Sequence, residues 1–101
     1  MNQTHYIWEK VMVAVVCLAS SDNPFEKRLF NAWSSALERL TLNGAPSELA
    51  DDLRWILEYC HENKLTHEET MKPLSPEDRE KMVDKLIHVL ITTSRLTAHP
   101  R

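Results

Sequence analysis

One glycine, Gly44, stands in a chain of 101 residues, where a domain of this length ordinarily carries about seven. Sheet proteins turn through tight hairpins with positive φ, and glycine supplies most of those positions. A chain so poor in glycine is directed towards helices, whose connections need it far less. Hydrophobic residues at 43% and charged residues at 27% place the sequence away from the low-hydrophobicity, high-charge range in which chains stay disordered. Its length suits one domain, residues 1–101, and leaves no room for a second core.

Start and stop signals divide the chain into four amphipathic helices, at about 5–19, 24–42, 46–62 and 76–97, giving an all-α, four-helix bundle-like fold. Thr4 is the expected N-cap of the first, and Ser20-Ser21-Asp22 ends it. Asn23-Pro24-Phe25-Glu26 opens the second with a cap, a proline at the first helical position and a glutamate able to reach back. Phe25, Leu29, Ala32, Trp33, Ala36, Leu37 and Leu40 then recur at helical spacing, and Asn43-Gly44 supplies the left-handed stop. The third begins at Pro46, with Glu48, Asp51 and Asp52 in its first turns and a stripe of Leu49, Leu53, Ile56, Leu57 and Cys60. Ser75-Pro76-Glu77-Asp78 starts the fourth, whose core face is Met82, Val83, Leu86, Val89, Leu90 and Thr93. The polar connection 64–75 is the longest, with Leu65, Met71 and Leu74 as its apolar anchors.

The net charge of −3 comes from twelve basic residues dispersed among fifteen acidic ones, without the basic stripe of a dedicated nucleic-acid binder. Cys17 and Cys60 lie in apolar helical patterns and read as reduced, buried thiols of a cytoplasmic protein. Residues 11–19 are uninterruptedly apolar, yet far short of the roughly 20 needed to span a bilayer. They are also preceded by Glu9-Lys10 and not by the basic cluster of a secretion signal. No membrane association is expected.

No catalytic, cofactor or metal site is expected. The segments Cys60-His61-Glu62 and His67-Glu68-Glu69 lack both Cys-x-x-Cys and paired histidines one helical turn apart. No serine sits in a nucleophile elbow, and phosphate loops need glycines that are absent. Asp51-Asp52 and Glu68-Glu69 are adjacent in sequence, so on a helix they splay about 100° apart.

More informative are apolar side chains that the helical wheels place off the core. Trp33 lies in the second helix's stripe and is expected to be buried. Trp55 sits well over 90° from the Leu53 and Ile56 stripe, among Glu48, Asp51 and Glu62, with Tyr59 one turn on. That pair is either covered by the 64–75 connection or a contact surface. Ile87 and Ile91 form a second ridge on the fourth helix. The first helix is apolar all round, with Val11 and Leu18 pointing one way and Met12 and Val16 nearly opposite. Either it is central to the bundle or another molecule covers part of it.

Trp8-Glu9-Lys10 with its apolar run, then Phe25, Arg28-Leu29-Phe30-Asn31-Ala32 and Leu37, resembles the opening half of a loosely defined group of short all-helical bacterial proteins. The likeness spans residues 8–57 by pattern; it implies a helical fold and a bacterial or phage setting, and transfers no site residue. The residues themselves lead to one expectation: a non-enzymatic adaptor, inhibitor or regulatory subunit, self-associating as a homodimer or docking a protein partner through Trp55, Tyr59, Ile87 and Ile91. The alternative is an accessory nucleic-acid binder using Arg95, His99 and Arg101 at the basic end of the fourth helix.

Overall fold

The structure, a computed structural model, describes residues 3–63 and 72–97. It is all-α: α1 (Thr4–Ala19), α2 (Phe25–Ser35), α3 (Ser47–Glu62) and α4 (Pro76–Thr97), with a 3₁₀ turn (Leu37–Arg39) after α2. α1 packs on α2 and on α4, and α4 also packs on α3, so α4 lies between α1 and α3. Both α4 neighbours run antiparallel to it. Trp8 Nε1 donates to Ser94 Oγ (2.8 Å) at one end of the α1–α4 pair, while Leu18 and Leu86 line one cleft at the other. On the far side Asp52 meets Lys85 and Tyr59 meets Asp78.

The starts of the helices show which signals act. Ser75 caps α4 as its sequence predicts, its Oγ accepting from the Asp78 N–H at 3.1 Å. α1 and α3 begin within a residue of expectation, but with Gln3 and Pro46 at the caps and no side-chain cap bond. α2 differs more. Pro24 stands at its cap, and Glu26 turns away from the helix start to accept the Leu74 N–H at 2.8 Å. A buried backbone donor in the segment entering α4 is thereby satisfied by a carboxylate on α2.

α2 also ends at Ser35, well before the expected Asn43-Gly44. Ala36 leaves helical geometry (φ −146°, ψ −56°) and the chain tightens into the 3₁₀ turn. In that turn residues three apart lie one above the other, so Leu37 and Leu40 both enter the core and the apolar pattern continues through the break. The Arg39 guanidinium takes up the Ser35 carbonyl freed there (2.9 Å). Gly44 does adopt positive φ (+75°), in a turn closed by the Ala45 N–H donating to the Leu42 carbonyl (3.1 Å), and not as a helix stop.

The core is continuous, from Ile7, Val11 and Ala14 on α1 through Leu29 and Trp33 on α2 to Leu53 and Ile56 on α3 and Leu86 and Val89 on α4. Of the two alternatives for α1, full cover within the bundle is not what the fold gives: Val13 and Val16 are exposed, while α2, α4 and the 3₁₀ turn pack against its other side. Two expectations need correction. Cys60 is buried but Cys17 only partly, since it lies about 100° round α1 from Leu18. Val83 sits on the flank of α4's core face and is exposed.

Candidate functional site

α4 has two flanks of opposite chemistry. Towards α3 the flank is polar and filled from within the chain. Lys85 Nζ donates to Asp52 Oδ1 at 2.9 Å, and His88 Nδ1 meets Asp52 Oδ2. Burial would raise the Asp52 carboxyl, but the bonds from Lys85 and His88 outweigh it and hold the group below its usual range. Tyr59 donates to Asp78 Oδ2 at 2.9 Å; burial, with that carboxylate as acceptor, pushes its phenol up to about 12.

Trp55 stacks on Tyr59 (centroids 5.0 Å apart) and carries Lys81 and Lys85 over its ring at 5.0 and 5.7 Å. Both aromatics are therefore half-buried against α4, Trp55 beside its two lysines and Tyr59 beside Asp78. Their position round α3 points them away from the stripe, but α4 lies on that side and their length lets them reach it. Of the 64–75 connection that could cover them, residues 64–71 lie outside the described residues.

Towards α1 the flank is apolar and open. Val83, Ile87 and Ile91 stand at i, i+4 and i+8 on α4, with Ile87 37% and Ile91 57% exposed. The antiparallel register that pairs Trp8 with Ser94 sets Met12 level with Ile91 and Val15 with Ile87. Val16, 53% exposed, flanks this row on α1, in a helix with no charged residue after Lys10. Of the four contact residues expected from sequence, Ile87 and Ile91 thus join one seam, while Trp55 and Tyr59 lie across α4 from it.

The seam deepens at one end into a groove of about 360 Å³ between the last turns of α1, the first turn of α2 and the first half of α4. Val15, Leu18, Phe25, Val83, Leu86 and Ile87 make its walls, and Arg28 is the one charged residue lining it. Arg28 is held in place by its own donors: Nε to the Asn23 carbonyl (2.9 Å) and an η nitrogen to the Leu18 carbonyl (2.6 Å). The latter satisfies one of the carbonyls that the end of α1 leaves unbonded. The guanidinium also lies over the Phe25 ring, 5.6 Å from its centroid. Sequence reasoning passed over the groove because its walls come from three separated segments; the Phe25/Arg28 spacing is the only local sign of it.

Other readings find less to work with. Among the described residues no group of three or more His, Cys, Asp or Glu side chains is placed to hold a metal ion. Cys60, the most buried thiol, is pushed up to about 12 by burial and is a poor nucleophile. Arg95 is exposed on α4, while His99 and Arg101, like His67, Glu68 and Glu69, lie outside the described residues. No described helix is long and apolar enough to cross a membrane. Comparison with protein families, with curated proteins and with solved structures finds no match to this chain.

Proposed function

We propose that this chain is a non-enzymatic interaction module, an adaptor, inhibitor or regulatory subunit in a bacterial or phage setting, that self-associates through the α1–α4 seam. The observation that carries the reading is the row of exposed Val83, Ile87 and Ile91 along α4, of which Val83 and Ile87 meet Val15 of α1, beside an α1 whose Val16 is exposed as well. Single exposed apolar residues are ordinary, but a contiguous two-helix patch marks a contact surface. Two such faces meeting about a two-fold axis complete a second layer of helices, the simplest closed assembly. The seam is sixteen residues long on α1, roughly 24 Å, and two helices, roughly 20 Å, wide. That is the scale of a small interface, for which association in the micromolar range is expected. Trp55 and Tyr59 are engaged within the chain and have no part in this contact.

Sedimentation equilibrium from micromolar to near-millimolar chain concentration tests it. The mass of the wild type is expected to rise to that of a dimer, and Ile91→Glu, which puts a charge in the seam without touching the core, is expected to remain monomeric with an unchanged helical spectrum. Trp55→Ala is expected to dimerise as the wild type does. A wild type that stays monomeric throughout, or an Ile91→Glu variant that dimerises equally well, overturns the proposal.

A further inference from the structure

The groove at the end of the seam is complete within one copy of the chain, and its chemistry is more particular than that of the seam. Its walls are aliphatic and aromatic, and it lies near the lower bound of volumes that hold small molecules. Arg28 is the one charged residue bordering this apolar surface. Arg28 has five N–H donors, of which two are used, on the Asn23 and Leu18 carbonyls. No carboxylate among the described residues pairs with it. The remaining donors stay on a cation whose orientation is fixed by those two bonds and by the Phe25 ring.

We infer that this groove binds a small amphipathic monocarboxylate, an unbranched aliphatic acid whose tail lies along Val15, Val83 and Ile87 and whose carboxylate meets Arg28. Charge complementarity selects the head group: a single cation balances a single negative charge, whereas a dianion would be left half neutralised against apolar walls. The planar fork of an arginine also matches a carboxylate better than an ammonium would. The tail supplies most of the affinity, because its burial removes apolar surface on both sides from water. The inference does not rest on self-association, since every residue it uses belongs to one copy.

Calorimetric titration of the full chain with octanoate and with octan-1-ol, followed by amide chemical shifts, tests the assignment. Octanoate is expected to bind saturably and one-to-one, shifting the amides around Val15, Ala19, Val83 and Ile87. Octan-1-ol is expected to bind roughly tenfold more weakly, the worth of one charge-assisted hydrogen bond. Arg28→Gln should bring octanoate down to the level of the alcohol and leave the alcohol unchanged. Ala19→Trp, at an exposed lining position, should fill the groove and abolish both. If Arg28→Gln fails to fold, the acid-to-alcohol ratio on the wild type and the Ala19→Trp titration decide between them. Equal binding of acid and alcohol, octanoate binding that survives Ala19→Trp, or no saturable binding of octanoate each overturns the inference.

Discussion

Gly44→Ala tests the turn that joins the 3₁₀ segment to α3 and the placement of the α1 start above it. Gly44 holds φ at +75°, and a Cβ added there would stand 2.7 Å from Gln3 Cγ. Two costs follow. An L-residue in left-handed geometry loses roughly 1–2 kcal/mol, partly offset by the roughly 0.4–1 kcal/mol that alanine removes from the entropy of the unfolded chain. The Gln3 side chain must also swing aside, at about the cost of an off-rotamer torsion, roughly 0.5–1.5 kcal/mol. The net expectation is a loss of roughly 1–2 kcal/mol, which for a chain of this size lowers Tm by roughly 5–15 °C. Thermal and urea unfolding followed by far-ultraviolet circular dichroism reads it. Gln3→Ala in the same background should return the steric part alone, and Gly44→Asn should lose less than alanine does, because asparagine tolerates positive φ. A Gly44→Ala variant as stable as the wild type would refute the left-handed assignment. Failure of Gln3→Ala to restore any stability would refute the contact above the turn.

Asp52 and the cysteines provide two further tests. The folded Asp52 carboxyl is held below its unfolded value, so its contribution is fully present above about pH 4 and is lost as pH falls through the depressed folded value. Asp52→Asn should therefore cost about 1 kcal/mol at neutral pH, with the gap to the wild type closing in strong acid; a gap that is constant with pH contradicts the ion-pair account. Cys17, partly exposed, should react with a thiol reagent at pH 8 well before Cys60, whose rise to about 12 lowers its thiolate fraction roughly a thousandfold. Equal labelling of the two under native conditions contradicts the burial of Cys60.

How much of this was legible in the sequence depended on how local the cause was. Ser75-Pro76-Glu77-Asp78 announces α4 because cap, proline and acidic turn all act within one turn of chain. The end of α2 carries no proline or glycine at the break; Ala36 leaves the helix so that Leu37 and Leu40 can both turn inward, a tertiary reason that the helical wheel mistakes for more helix. Glu26 has the spacing of a capping box, yet Leu74, 48 residues away, offers a buried N–H and takes its carboxylate. Trp55 and Tyr59 were visible as misplaced aromatics, but which side of α3 was covered depended on where α4 packs. Ile87 and Ile91 were legible as a ridge, while the meeting of Val83 and Ile87 with Val15 needed the antiparallel register of α1 and α4.

That contrast between the flanks of α4 bears on how the chain can bind without losing its fold. The α3 side carries the specific interactions: the Asp52 pair with Lys85 and His88, the Tyr59 bond to Asp78, and the lysines over Trp55. These fix the rotation of α4 about its own axis, because sliding it by one residue would turn every partner about 100° away. With α4 so held, Val83, Ile87 and Ile91 are presented in one orientation, whether or not anything lies on them. A surface substitution at Ile91 should then change stability by no more than about 0.5 kcal/mol, so the fold does not account for an isoleucine that is 57% exposed there. The contact with a second apolar face that we propose would account for it. The polar flank sets the geometry, and the apolar flank is the one left free to use it.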